Sequence, residues 1–354
     1  MQRKYQKLLQ DRIEKGSERS LLSFDESFID FWSNDYLGLG RKSNRIDLKS
    51  GSGSRLISGN SRIIESIEDF LANHFESEAA LIFNSGYDAN LGFFSSVPQK
   101  GDIILYDELI HASVRDGIRL SFANAFSFQH NSLEDLKKKL DKANGTVFVA
   151  IESIYSMDGD LAPLKEIYDL CEQFGVLLIV DEAHAGGVFG SEGKGLCHEV
   201  GIEPFARLFT FGKGFGAHGA AILSNEEIKR FLINFARSFI YTTAFPEAFY
   251  QHIQTQVEAA KDNNLRLELQ KNIALFRSEF PYLKSAINSP IQVIEIPDVE
   301  KCKDLAQKLQ ENGFAVKAIL PPTVPEGGQR LRICIHQFNS ESEIKKMKFL
   351  IFNS

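Results

Sequence analysis

Thr210-Phe211-Gly212-Lys213-Gly214-Phe215-Gly216 decides how this chain is read, together with Asp181-Glu182-Ala183-His184 about thirty residues upstream. A lysine among glycines means little by itself. Here it follows one apolar run, Leu208 to Phe211, while the Asp–His segment follows another, Val176 to Val180. Both segments are therefore expected just past the ends of strands. The glycines let backbone approach a ligand closely. A lysine held in such a crevice is desolvated, which lowers its pKa and makes the amine a competent nucleophile.

Further apolar runs extend the pattern upstream: Ala79 to Phe83, Asp102 to Tyr106 and Val147 to Ile151. They alternate with helical patterns, among them Ile63, Ile64, Ile67, Phe70 and Leu71, and a helix opened by Asn131 or Ser132 that carries Leu133, Leu136 and Leu140. Continuous apolar runs imply strands covered on both faces, hence a mostly parallel, doubly wound α/β sheet. Residues 3–15 read as a short charged helix, Phe28 to Trp32 as a strand, and Ser50 to Ser54 as a turn.

The texture changes after about residue 245. A long helical stretch, Ala248 to Phe276, precedes a strand (Ile291 to Ile296), a helix (Lys301 to Glu311), strands Phe314 to Ile319 and Arg330 to His336, and a last helix opened by Ser340 with Glu343 in capping-box position. The expected organisation is an N-terminal segment (1–32), a large α/β domain (33–244) and a small C-terminal α+β domain (245–354).

Composition narrows the partners. Of 354 residues, 43% are hydrophobic and 25% charged, enough for a substantial core, and a formal net charge of −7 offers no broad positive field for nucleic acid. No run approaches the length of a membrane span, and the first sixteen residues are charged throughout, so the expected location is the cytoplasm. The four cysteines, Cys171, Cys197, Cys302 and Cys334, and the eight histidines form no cluster with metal-ligand spacing, so no metal is expected.

Polar residues fall at the strand ends: Asn84-Ser85-Gly86-Tyr87 after the first, His111 past the second, Ser156 past the third, Asp181 and His184 after the fourth, Lys213 after the fifth. Open α/β sheets bind ligands outside the carboxyl ends of their strands. Asp181 reads equally as a helix N-cap or as a carboxylate for a protonated pyridine nitrogen; His184 as a buried structural histidine or as a partner of a phenolic oxygen. Ser85 to Asn90 opens a helix, either as an ordinary cap or as a phosphate site at the helix N-terminus. His111 is a surface histidine or an aromatic partner for a ring face. A P-loop requires Ser or Thr directly after the lysine, where Gly214 stands, and Gly51-Ser52-Gly53 lacks the third glycine of a dinucleotide fingerprint. A lysine that follows a strand-terminal Asp and His suggests the lysine that holds pyridoxal 5′-phosphate (PLP) as a Schiff base, here Lys213.

The segments Asn34 to Leu39, Ser85 to Asn90, His111-Ala112-Ser113, Ser156 to Leu164, Asp181 to His184 and Thr210 to Gly216 resemble the α-oxoamine synthases, in order along nearly the whole chain. The resemblance implies a fold-type-I, aspartate-aminotransferase-like PLP enzyme that condenses an amino acid with an acyl thioester and releases CO₂, working as a homodimer with its site at the subunit interface. It implies Lys213 as Schiff-base former and Cα base, Asp181 on the pyridine nitrogen, His111 stacked on the ring, and Ser156 and His184 on the phenolic oxygen. Thr210 and the Gly86 and Tyr87 backbone would hold the phosphate, with Thr242 or Thr243 reaching the partner subunit's phosphate. Asn34, Arg332 and Thr323 would contact substrate, Arg332 at the α-carboxylate.

Ile319 to Pro325, Arg330-Leu331-Arg332, Phe235-Ala236-Arg237 and Tyr241-Thr242-Thr243 point, within that family, to the biotin-pathway member, which joins L-alanine to a pimeloyl thioester. The alternative is a member using glycine or serine with another acyl-CoA. The chain departs from the family pattern in a shortened stretch over 40–51 and in Leu320, where an arginine is expected before Pro-Pro-Thr.

Overall fold

The computed structural model describes residues 10, 13–14, 24, 27–42 and 53–352. The helix expected over residues 3–15 (apart from 10, 13 and 14), most of the 50–54 turn and most of the shortened 40–51 stretch lie outside the described residues. The chain divides into two compact units, Asn34–Ser156 with Leu161–Leu267, and Met157–Asp160 with Glu268–Ser354 and the described residues up to Ser33. Residues 245–267, expected with the C-terminal domain, thus group with the larger unit.

The two strands β1 (Ile29–Asp30) and β10 (Phe314–Ala315) belong to the smaller unit and pair in parallel. In the larger unit the elements run α1 (Arg62–His74), β2 (Ala79–Phe83), α2 (Gly86–Ser96), β3 (Ile103–Asp107), α3 (Ala112–Leu120), β4 (Asn124–Phe128), α4 (Leu133–Leu140), β5 (Val147–Glu152), α5 (Leu164–Phe174), β6 (Leu177–Asp181), α6 (Leu196–Glu199), β7 (Ala206–Thr210), β8 (Ala220–Ser224), α7 (Glu226–Phe235), α8 (Arg237–Ile240) and α9 (Glu247–Ala259). A further helix, α10 (Asn263–Glu279), follows. The sheet order is β2-β8-β7-β6-β5-β3-β4, with β8 antiparallel to both neighbours and the remaining pairs parallel.

The apolar runs are strands because both their faces are covered: every residue of β2 and of β5 is buried. Leu81, Phe93, Ile104, Phe148, Leu208 and Ile222 meet in one core cluster, and each such side chain contributes about 1.5–3 kcal/mol when taken fully out of water. Helix ends follow local chemistry. The Ser132 side chain caps α4 at Asp135 N, and α5 stops at Gly175, whose φ of 62° suits the left-handed C-cap.

Two strands were not expected from the sequence. Edge strand β4 leaves most of its side chains exposed and so lacks an apolar run. Strand β8 has one, Ala220-Ala221-Ile222-Leu223, but a short one directly behind Gly219. The expected helix over 248–276 is two helices. The first ends at Ala259 with Ala260 as its C-cap, and Asp262 directly precedes the second, its Oδ1 accepting from Asn264 N at 3.0 Å.

The smaller unit holds an antiparallel three-stranded sheet, β11-β12-β9, built from β9 (Ile291–Glu295), β11 (Ala318–Ile319) and β12 (Arg330–Cys334), with helices α11 (Val299–Glu311) and α12 (Glu341–Phe352). The single strand expected over 314–319 is split between this sheet and the β1–β10 pair. The capping box forms: Ser340 N donates to the Glu343 carboxylate at 2.7 Å, and Glu343 N to Ser340 Oγ at 3.3 Å. Among the described residues no helix is long and apolar enough to cross a membrane.

Candidate active site

Strands β6 and β7 are parallel neighbours, with Asp181 opposite Leu208, so the loops that follow them leave the sheet side by side. Those loops touch backbone to backbone. A Cβ on Gly214 would sit 2.4 Å from Gly186 O, and Gly187 adopts a φ of 80° against Gly214. Only glycines permit this approach, and it brings half-buried Lys213 to His184, Nζ to Nε2, at 2.8 Å.

His184 is buried and engaged at both ring nitrogens, with Nδ1 lying 2.8 Å from Tyr36 Oη. The Tyr36 hydroxyl donates to Asn34 Oδ1 at 3.1 Å. Donor counting then assigns the imidazole proton to Nδ1, which donates to the tyrosine oxygen, and leaves the Nε2 lone pair facing the lysine amine. Tyr36 has no exposed surface, so this chain of bonds is fixed by packing.

Asp181 ends β6 with only 7% of its surface exposed. Its Oδ1 accepts from Ala183 N at 2.9 Å and its Oδ2 from Asn90 Nδ2 at 2.8 Å. It makes no ion pair among the described residues. Beside it in register on β5 stands Glu152, buried as well. Burial pushes the Glu152 carboxyl well above the usual carboxylate range, and the Asp181 charge adds to the shift. Glu182 points elsewhere, accepting from Leu196 N at 2.7 Å and Cys197 N at 3.0 Å at the start of α6. Adjacent acids in the motif therefore do different work, one facing the site and one closing a helix end.

His111 caps α3, its Nδ1 lying 3.2 Å from Ser113 N and 2.7 Å from Ser113 Oγ. Ser85 caps α2, accepting from Asp88 N at 3.0 Å, so the amides of Gly86 and Tyr87 lie in its first turn. Thr210 is adjacent to Gly86, where an added Cβ would lie 3.6 Å from the threonine side chain. Asn84 Nδ2 donates to Thr242 Oγ1 at 3.1 Å and to Thr243 O at 2.9 Å, which ties the Tyr-Thr-Thr segment to the same strand end within one subunit. Ser156 is half-buried past the end of β5.

Arg332 and Thr323 belong to the smaller unit. Arg332 is half-buried with Nη1 3.0 Å from Cys334 Sγ, and Thr323 is exposed in the turn after β11, its N–H donating to Leu320 O at 3.0 Å. Arg330, on the same strand face, is buried against Asp158 and Gly328 O, the latter at 2.7 Å. Among the described residues no cluster of His, Cys, Asp or Glu could hold a metal ion.

Tyr36, Asn90, Ser113 and Glu152 are site residues that sequence reasoning passed over. Glu152 carried the same signal as Asp181, an acid ending an apolar run. Asn90 carried another, lying four residues past Gly86 and hence on the same helix face.

Fold and strand-end lysine together define a fold-type-I transferase. A family model described as aminotransferase class I and II matches residues 26–346. The 8-amino-7-oxononanoate synthase of Emericella nidulans is 39% identical over 95% of this chain and 91% of the relative. A serine palmitoyltransferase from S. paucimobilis, solved with bound PLP–myriocin, superposes with a TM-score of 0.88 at 25% identity, covering 97% of this chain and 94% of that one. The 8-amino-7-oxononanoate synthase of Francisella tularensis does so with a TM-score of 0.79 at 31% identity, covering 93% and 98%. The chain belongs to the aminotransferase class I and II family and, within it, to the α-oxoamine synthases.

Proposed function

We propose that this protein is a PLP-dependent acyltransferase that joins L-alanine to a pimeloyl thioester, with loss of CO₂ and free thiol, to give 8-amino-7-oxononanoate for biotin synthesis. The observation that carries the chemistry is the Lys213 amine 2.8 Å from His184 Nε2, beside a buried carboxylate that lacks an ion-pair partner among the described residues. The choice of product rests on the Emericella nidulans relative, alike over 95% of this chain.

The donor set fits the cofactor. A buried carboxylate without a cation suits a protonated pyridine nitrogen, and the first turn of α2 with Thr210 suits a phosphate. Lys213 would hold the group covalently, Asp181 its ring nitrogen, His111 one ring face, Ser156 and His184 the phenolic oxygen, and Gly86, Tyr87, Thr210 and Thr242 the phosphate. When bound, the cofactor supplies an electron sink for charge developing at the amino acid's Cα.

The chain's own residues supply the rest. Lys213 Nζ, once released, takes the Cα proton as general base, and later returns a proton to Cα after CO₂ has left. His184, its Nδ1 engaged by Tyr36, has Nε2 alone for the lysine amine or the phenolic oxygen. Arg332 is assigned the amino acid's carboxylate, and Asn34 and Thr323 further substrate contacts, on the motif resemblance. A cytoplasmic homodimer is the proposed form, on the same ground.

The test combines purified protein and PLP with alanine, glycine or serine, each against pimeloyl, acetyl and palmitoyl thioesters, following thiol release and product mass. Turnover confined to alanine with a pimeloyl thioester is expected. Serine with palmitoyl-CoA is the competing pair, since the serine palmitoyltransferase fold superposes with the higher TM-score, 0.88 against 0.79. Preference for that pair would overturn the assignment.

A further inference from the structure

Asn90 is 3% exposed on α2 and has spent both protons of its side-chain amide inside the protein. One goes to Asp181 Oδ2 at 2.8 Å, the other to Ser113 Oγ at 3.0 Å. Ser113 is fully buried, and its hydroxyl lies 2.7 Å from His111 Nδ1. The backbone N–H of Ser113 also points at that nitrogen, at 3.2 Å. Since a backbone N–H can only donate, His111 Nδ1 is an acceptor and its proton sits on Nε2. The Ser113 hydroxyl therefore donates to His111 and must accept from Asn90. Every bond direction in the chain is then determined.

We propose that Asn90 is a positioning residue for the cofactor site, using its two amide protons to hold the Asp181 carboxylate and the His111 ring in one fixed arrangement. The proposal rests on the PLP reading above. The two residues it links come from different strand ends, β6 and the loop after β3, and no backbone hydrogen bond joins His111 to Asp181. A buried amide is suited to the task because both its donors are satisfied and neither can move without leaving a buried polar group unpaired. An apolar residue of equal volume would fill the space and take the amide donor from both Asp181 and Ser113. Ser113→Ala removes the hydroxyl that links Asn90 to His111 and leaves the histidine only the longer contact from the backbone N–H at position 113.

The experiment titrates cofactor-free protein with PLP, following visible absorbance for affinity and circular dichroism of the bound chromophore for orientation. It compares wild type, Asn90→Leu, Ser113→Ala, Asp181→Ala and the Asn90→Leu/Asp181→Ala pair, each checked for native far-ultraviolet dichroism. Wild type binding no PLP would remove the site reading itself, a result distinct from any variant's behaviour. Given wild-type binding, Asn90→Leu is expected to weaken affinity about ten- to a hundredfold, the loss of a hydrogen bond to a charged group. It should also reduce the chromophore's ellipticity, and it should add little once Asp181 is gone. Ser113→Ala should keep affinity within about threefold of wild type yet reproduce the ellipticity loss. Asn90→Leu with wild-type affinity and ellipticity, or with an undiminished effect in the Asp181→Ala background, would overturn the proposal. If Asn90→Leu does not fold, unchanged ellipticity in Ser113→Ala overturns it alone.

Discussion

Gly186 and Gly214 meet backbone to backbone: a Cβ on Gly214 would lie 2.4 Å from the Gly186 carbonyl oxygen. This contact between the loops after β6 and β7 is what carries Lys213 to His184. Gly214→Ala must push the loops apart and move the lysine, at a cost of about 1–3 kcal/mol for overpacking. Gly212→Ala is the control, because its Cβ would meet nothing closer than Ala217 O at 3.6 Å. The expected outcome is weak PLP binding and a lowered melting temperature for Gly214→Ala, with Gly212→Ala near wild type. Equal behaviour of the two would remove the glycine contact as the device that places the lysine.

Lys213→Ala should leave the fold intact, since the side chain is half-buried and its hydrogen bond to His184 is not part of any ladder. Turnover should nonetheless vanish, because anchor and base are lost together. Steady-state assays with the wild-type substrates check this. Substantial residual turnover would contradict the assignment of the Cα base to this residue.

Arg330 and Arg332 share a strand face but divide their roles. Arg330 is buried against Asp158, whose side chain is 37% exposed, and against Gly328 O, so Arg330→Met should cost about 1–3 kcal/mol of stability, between the exposed-pair and buried-pair scales. Arg332→Met should leave the melting temperature nearly unchanged and raise KM for the amino acid more than about tenfold, the scale of a lost bond to a carboxylate. Denaturant titrations and steady-state kinetics separate the two effects. The reverse pattern would exchange the assignments.

The physical reasons for what was legible differ from element to element. Strands β2, β5 and β6 announced themselves because a strand covered on both faces must be apolar throughout, and Asp181 stood out because an acid ends such a run. Edge strand β4, Asn-Ala-Phe-Ser-Phe, faces water and carries no comparable signature. Lys213 and His184 could be paired from their positions at strand ends, but not Asn90 or Tyr36. Tyr36 reaches His184 across 148 positions and Asn90 reaches Asp181 across 91, and although the spacing of Asn90 from Gly86 places it on the site-facing side of its helix, no local pattern encodes which side chain it meets there. The segment Met157–Asp160 read as part of the large domain; it groups instead with the smaller unit, where Ser285 Oγ donates to Asp158 O at 2.6 Å.

Glu152 gives the cofactor-free protein a pH dependence of stability with a definite sign. Its carboxyl is raised above the ordinary value of 4.5 by burial, then by Asp181, while Lys213 opposes the shift. The folded state thus holds a proton that the unfolded chain releases, so the Glu152 contribution to stability is intact below about pH 4.5 and declines as pH rises above it. Glu152→Gln keeps the shape and removes the titration. The melting temperature of the variant should exceed that of wild type at pH 8 and converge with it near pH 4.5. A variant less stable at pH 8 would mean that Glu152 is ionised and paired in the fold.

His74 has the opposite sign. It is 6% exposed, its Nε2 has no hydrogen-bond partner, and it packs edge-on to Phe75 with ring centroids 4.7 Å apart. Burial lowers its pKa from 6.5 to about 4, with Lys261 and Lys194 adding to the shift. The folded state therefore keeps the ring neutral while the unfolded chain takes up a proton. The stability this preserves is present above pH 6.5 and is lost as pH falls toward 4, to a limit of about 3 kcal/mol. His74→Phe retains the aromatic packing, removes the unpaired nitrogen and has nothing to protonate. Thermal melts at pH 7.5 and 4.5 should show a smaller drop for the variant than for wild type, with the difference developing between pH 6.5 and 4. Parallel losses in both proteins would mean that His74 is already charged, or solvated, in the native state.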